Sequence, residues 1–160
     1  MPATINFHLT GGAANSDPNL SLGGASSSVQ LSATAMNNLF DDVPPAEAAA
    51  GDTEYRAIDL TNAGDALATV VKAFMDPDST SAATRIDLGV EASPIGSTTS
   101  IANESAAPAD VTFAHYTSAS KLTVPDIPAG GYARLWVRRV VDAAAGNINN
   151  DTGTFKIEYA

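Results

Sequence analysis

Apolar and polar residues alternate along most of this chain with the period of two expected of β-strands. Ile5, Phe7 and Leu9 alternate with Asn6, His8 and Thr10, and Val29 and Leu31 with Gln30 and Ser32. From Asp52 to Leu60, Arg56, Ile58 and Leu60 share one face and Tyr55, Ala57 and Asp59 the other. Leu67 to Met75 is apolar on both parities, which predicts a central, well-covered strand. Ile86, Leu88 and Val90 mark another strand, Val111, Phe113 and His115 one more, then Leu122 and Val124. Gly131 to Val141 is the longest clean run, and Phe155, Ile157 and Tyr159 close the chain. Gly, Pro, Asn and Asp punctuate these runs. Asn62-Ala63-Gly64-Asp65 reads as a turn in which Gly64 supplies φ > 0. Only Pro45 to Gly51 reads as helical, with Pro at its start and Gly at its end.

Eight or nine short strands with no amphipathic helix of normal length predict an all-β fold: an antiparallel β-sandwich, jelly-roll or immunoglobulin-like. Sequence proximity predicts a final hairpin pairing residues 132–141 with 154–159. Residues 11–28 are nearly all small, polar or turn-forming. They predict an extended N-terminal arm, so the chain divides into residues 1–28, a strand followed by an arm or loop, and a sandwich over 29–160.

The run from Gly131 to Val141 holds the only Trp. Ala133, Leu135, Val137 and Val141 share one parity and suit a core, with Arg139 as an intruder needing an acidic partner. Tyr132, Arg134, Trp136 and Arg138 fall on the other. Aromatic and Arg side chains are enriched at protein interfaces, so this face is expected to meet a partner. The alternative is that Trp136 is a core residue and the parity is inverted.

Charge narrows the partners. The net charge of −10 opposes direct binding to a nucleic-acid backbone and favours a neutral or basic partner surface. Hydrophobic residues make up 44%, but aromatics only 6%, so few side chains are large enough to form the core. The chain has no cysteine, which removes disulfides and thiol chemistry. It begins without a secretory signal pattern, and no apolar run is long enough for a membrane helix.

Two histidines, His8 and His115, without a Gly-x-Ser-x-Gly elbow give no basis for a catalytic triad. Acidic residues cluster at Asp41, Asp42, Glu47, Asp52 and Glu54, and Asp76 and Asp78 flank Pro77. Calcium takes such oxygens, but the spacing of a calcium loop is missing. No cofactor is expected and no enzyme.

Three segments carry a family likeness: Leu9 to Pro18 with Leu22-Gly23-Gly24, Asn38 to Val43 with Glu47 to Arg56, and Leu135 to Arg139. Together they resemble small virion structural proteins of tailed bacteriophages, of the kind that coat the head as decoration or cement proteins. The turn and strand after Asn62 are simpler than in that family. The resemblance implies a non-enzymatic protein that binds the major capsid protein on the outside of the shell, self-associates (commonly as a homotrimer) and is assembled in the host bacterial cytoplasm. The candidate interface combines the outer face of the 131–141 run, Tyr132, Arg134, Trp136 and Arg138, with Phe7, Leu20 and Leu22. The alternatives are a tail or baseplate subunit and a glycan-binding module using exposed Tyr132 or Trp136. A hydrolase using His8 or His115 is the weakest reading.

Overall fold

The computed structural model describes residues 1–34 and 36–160. Its strands are β1 (Ile5–Thr10), β2 (Ser26–Gln30), β3 (Asp52–Asn62), β4 (Lys72–Met75), β5 (Thr84–Ile95), β6 (Leu122–Thr123), β7 (Tyr132–Val141) and β8 (Phe155–Glu158). The short helix α1 (Pro45–Ala50) ends at Gly51, whose φ of 80° is the left-handed conformation that glycine adopts without strain. Among the described residues no helix is long and apolar enough to cross a membrane.

Two antiparallel sheets face each other. One is five-stranded in the order β2-β1-β3-β7-β5, the other three-stranded in the order β6-β4-β8. This is the all-β sandwich that the alternation predicts. β7 lies between the two longest strands. It pairs with β3 from Asp52↔Val141 to Thr61↔Tyr132, and with β5 from Thr84↔Val141 to Val90↔Leu135. The expected final hairpin does not form. Both edges of β7 are taken by distant strands, and residues 142–153 carry the chain to the other sheet, where β8 pairs with β4.

The register places Ile58, Leu60, Leu88, Ala133, Leu135 and Val137 on one face, all buried. They pack against Val71, Ala73, Leu122, Val124 and Ile127 of the smaller layer. Each large aliphatic side chain buried this way contributes about 1.5–3 kcal/mol relative to exposure. Thus the parity assigned to Leu135 and Val137 is the observed one.

The Leu67–Met75 segment is central in its sheet, as its two-sided apolar pattern predicts, but the ladder is interrupted. Lys72 faces Glu158 in register, whereas Thr69 exchanges both backbone bonds with Ala160. One extra residue therefore sits in this strand. Val70 has a φ of 54° and is 64% exposed, a left-handed bulge on a β-branched residue.

Residues 11–28 do not extend from the domain. Ser21 anchors them to the half of β3 that β1 does not pair with, its carbonyl accepting from Ala57 N at 2.7 Å and its hydroxyl donating to Ala57 O at 2.7 Å. Thr10 N donates to Ser21 Oγ, and Gly23 N donates to Thr10 Oγ1. The small residues needed for these close approaches are what gave the segment its arm-like composition. Gly64 also has a role other than the expected one. It is absent from the left-handed region; instead the Pro2 carbonyl oxygen lies 2.1 Å from where a Cβ would stand.

Candidate interaction surfaces

The second face of the large sheet carries the residues that the sequence marks for contact: Tyr132, Arg134, Trp136 and Arg138. The register puts them together, opposite Thr61, Asp59, Ala57 and Tyr55 of β3. Arg134 and Trp136 are fully buried, and Tyr132 and Arg138 are only partly exposed. The register shift between Val90 and Ile95 bends the end of β5 over this face. The chain then returns through isolated bridges Glu91↔Val111 and Leu88↔Ala114. Residues 97–115 thereby form a third layer over part of the sheet.

Beneath that layer lies a row of ion pairs. Arg134 donates from Nε and from a terminal nitrogen to the two oxygens of Asp59, both at 2.9 Å, and both side chains are fully buried. Its other terminal nitrogen donates to Thr99 O at 3.0 Å. Trp136, also fully buried, donates from Nε1 to Glu91 Oε1 at 3.1 Å. Glu91 in turn accepts from the hydroxyls of Ser97 and Thr99. Arg138 donates to Asp87 and stands 4.9 Å from the Phe113 ring centre. Tyr132 donates its hydroxyl to Ser97 O.

Burial pushes the Asp59 carboxyl above its ordinary range, while the Arg134 bonds and charge pull it back down. The expected contact face is thus an internal polar layer, because an arginine buried without a carboxylate costs several kcal/mol and each here has found one.

Phe7, Leu20 and Leu22 do not join that group. Phe7 lies on the opposite face with its ring edge-on to Phe155, centroids 5.3 Å apart. Leu20 is exposed in a single 3-10 turn, and Leu22 is half-buried beside it. Arg139 finds the acidic partner that its position demands. Its Nε donates to Glu54 Oε2 at 2.6 Å, and a terminal nitrogen donates to Asp41 O. The Phe40 ring lies 5.0 Å from its guanidinium and 5.4 Å from that of Arg56, which donates to Glu104 at 2.6 Å. Burial raises the Glu54 carboxyl above its ordinary range against the pull of Arg139 and Arg56.

Some of the clustered acids are committed: Asp41 and Glu54 to Arg139, Asp76 to Lys156 and Asp78 to His115. Among the described residues no group of three His, Asp or Glu is placed to hold a metal. His115 Nδ1 lies 2.8 Å from Ile86 O and Nε2 lies 2.7 Å from Asp78 Oδ2, an arrangement in which both nitrogens donate from an imidazolium. Burial lowers its pKa, but the Ile86 and Asp78 bonds and the charges of Asp78 and Asp87 outweigh that and leave it raised. Both ring nitrogens are thus engaged by oxygen acceptors of the protein itself. The small recess beside it, about 320 Å³, is walled by Asp78, Ser79 and Arg85, and the Ser79 hydroxyl is spent on Thr84 O.

A larger concavity lies on the core side, where the layers diverge. It is an open cleft of about 1450 Å³ between residues 31–43, α1 and residues 144–155. Phe7, Leu39, Phe40 and Phe155 are among its apolar lining, and Met36 and Ile148 are exposed within it. Asp41, Asp42 and Asp151 also line it. Its size exceeds the roughly 300–1,000 Å³ of small-ligand pockets and suits a polypeptide segment better.

No local pattern marks this cleft, whose walls are mostly loops. The buried acids Asp59, Asp87 and Glu91 did leave a sign: each is an acidic residue beside apolar ones on a strand legible in the sequence. No protein-family model matches the chain, and no curated protein and no solved structure is significantly similar to it.

Proposed function

We propose that this protein is a non-enzymatic structural component of a phage virion that binds the outer surface of the capsid and braces the shell. The observation that carries this reading is the open cleft, with its apolar lining and acidic residues, on a scaffold whose arginines are all paired internally with carboxylates. Such a surface fits a neutral or basic polypeptide and offers no cationic groove for nucleic acid. The resemblance of Asn38 to Val43 and Glu47 to Arg56 to decoration proteins falls on residues beside this cleft, and the partner is then the major capsid protein. A glycan-binding role is disfavoured because Trp136, its best stacking platform, is buried.

The test is electron microscopy of the native particle together with binding of the purified protein to emptied, expanded heads. Density on the outer head surface is expected, with binding lost in Met36→Asp/Ile148→Asp, two exposed cleft positions. Density on the tail would assign the protein to the tail or baseplate. Full binding by the double variant would remove the cleft from the interface.

A further inference from the structure

β8 forms one side of the smaller sheet and pairs only with β4. Thr154 and Ala160 both exchange backbone bonds with the β4 side, through Pro77, Asp76 and Thr69. On a strand this fixes the even-numbered residues as those whose N–H and C=O point toward β4. Phe155, Ile157 and Tyr159 therefore aim their backbone groups outward. Among the described residues no backbone group pairs with them.

Natural edge strands are blunted by shortness, charged side chains, proline, a bulge or a covering loop, and β8 is short and carries Lys156 and Glu158, whose opposite signs can satisfy one another across a twofold. Residues 155–159 contain no proline. The side chains divide by parity: Phe155 and Ile157 pack on the core, while Lys156 and Glu158 are exposed.

We propose that two copies of this protein pair β8 with β8 antiparallel about a twofold axis at Ile157, joining their smaller sheets into one. The charges select this register. Centring the axis on Ile157 places Phe155 opposite Tyr159 and Lys156 opposite Glu158, twice over. Each outward pair then exchanges both of its N–H···O bonds, and the Lys–Glu pairs fall at the close, non-hydrogen-bonded positions. Shifting the axis to residue 156 sets Lys156 against Lys156, and shifting it to residue 158 sets Glu158 against Glu158. Like charges directly opposite are destabilising. The existing contacts of Lys156 with Asp76 and of Glu158 with Lys121 are exposed, so each can share its partner at little cost. The twofold contact is isologous and closes on itself. This inference does not rest on the capsid reading.

The test is sedimentation equilibrium of the full chain across a wide concentration range. A monomer–dimer equilibrium is expected. Lys156→Glu, which sets Glu against Glu158 twice, should weaken it at least about tenfold, corresponding to the roughly 1.4 kcal/mol of a tenfold change in affinity. The charge-swapped Lys156→Glu/Glu158→Lys chain should recover wild-type affinity. Ile157→Pro removes an outward N–H while sparing the bonds to β4, and should abolish pairing. If that variant does not fold, the charge swap still decides the matter, because both of its positions are exposed. A monomer at every concentration, a trimer, or a dimer indifferent to Lys156→Glu would overturn the proposal. So would failure of the double swap to restore it.

Discussion

Replacing the buried Arg134–Asp59 pair one partner at a time gives the sharpest measure of the polar layer. Both side chains are fully buried, and their two bonds are 2.9 Å long. Removing one partner strands the other charge out of water, which costs about 3–5 kcal/mol. Arg134→Met additionally removes the bond to Thr99 O, which keeps its second donor, Gly24 N. The double variant Asp59→Leu/Arg134→Met strands no charge. It should lie within about 2 kcal/mol of wild type, because an apolar replacement of similar volume is often neutral or better.

The expected coupling between the two sites is therefore several kcal/mol, far above the few tenths seen for independent sites. Urea unfolding followed by the fluorescence of Trp136, the only Trp and buried in the same layer, reads it directly. At a slope of about 2 kcal/mol per molar, each single variant moves the midpoint down by roughly 2 M. Single losses below about 1 kcal/mol would mean a solvated pair, and an additive double loss would mean no pair at all. Either result would refute the enclosed layer.

Other outcomes follow from single positions. His115 has a raised pKa in the folded state, so its stabilising contribution is full below the ordinary histidine pKa and fades as pH rises through the folded value. The melting-temperature gap between wild type and His115→Gln should accordingly be wider at about pH 5.5 than at about pH 8.5, and a gap that grows with pH would contradict the imidazolium. A Cβ at Gly89 would stand 2.7 Å from both Thr112 O and Val111 Cγ1, so Gly89→Ala should cost about 1–3 kcal/mol by calorimetry, with no cost if residues 111–112 do not cross there. Left-handed Val70 carries about 1–2 kcal/mol of strain, and glycine returns up to about 1 kcal/mol of that as backbone entropy. Val70→Gly should then raise the urea midpoint modestly, and a fall would argue against the bulge.

Local pattern was legible in this sequence, whereas coverage and pairing were not. Ala133, Leu135, Val137 and Val141 announced the core side of β7 because alternation is a property of adjacent residues. Whether the other side met water depended on residues 97–115, a stretch of small and polar side chains with little beyond Val111 and Phe113 to mark it as a lid. The pairing of β7 with β3 and β5 joins residues far apart in the chain, and proximity pointed instead to β8. Ser21 and Gly23 read as an arm because smallness permits both mobility and close packing. Val70 was illegible for a related reason: a β-branched residue signals strand, and nothing local marks it as the one forced into a bulge.

The two-sided burial of β7 also governs how the chain finds its register. On a strand with one wet face, a slip by one residue moves apolar groups into water, an error of limited cost. Here the same slip would drive Arg134 and Arg138 into the aliphatic layer and Leu135 and Val137 among the carboxylates. Both layers reject the error at once, the ionic one by its charge and the aliphatic stretch around Ala133 and Leu135 by its lack of counterions. The central strand is therefore addressed twice, and the ionic layer acts as a key that accepts one alignment of β3, β7 and β5.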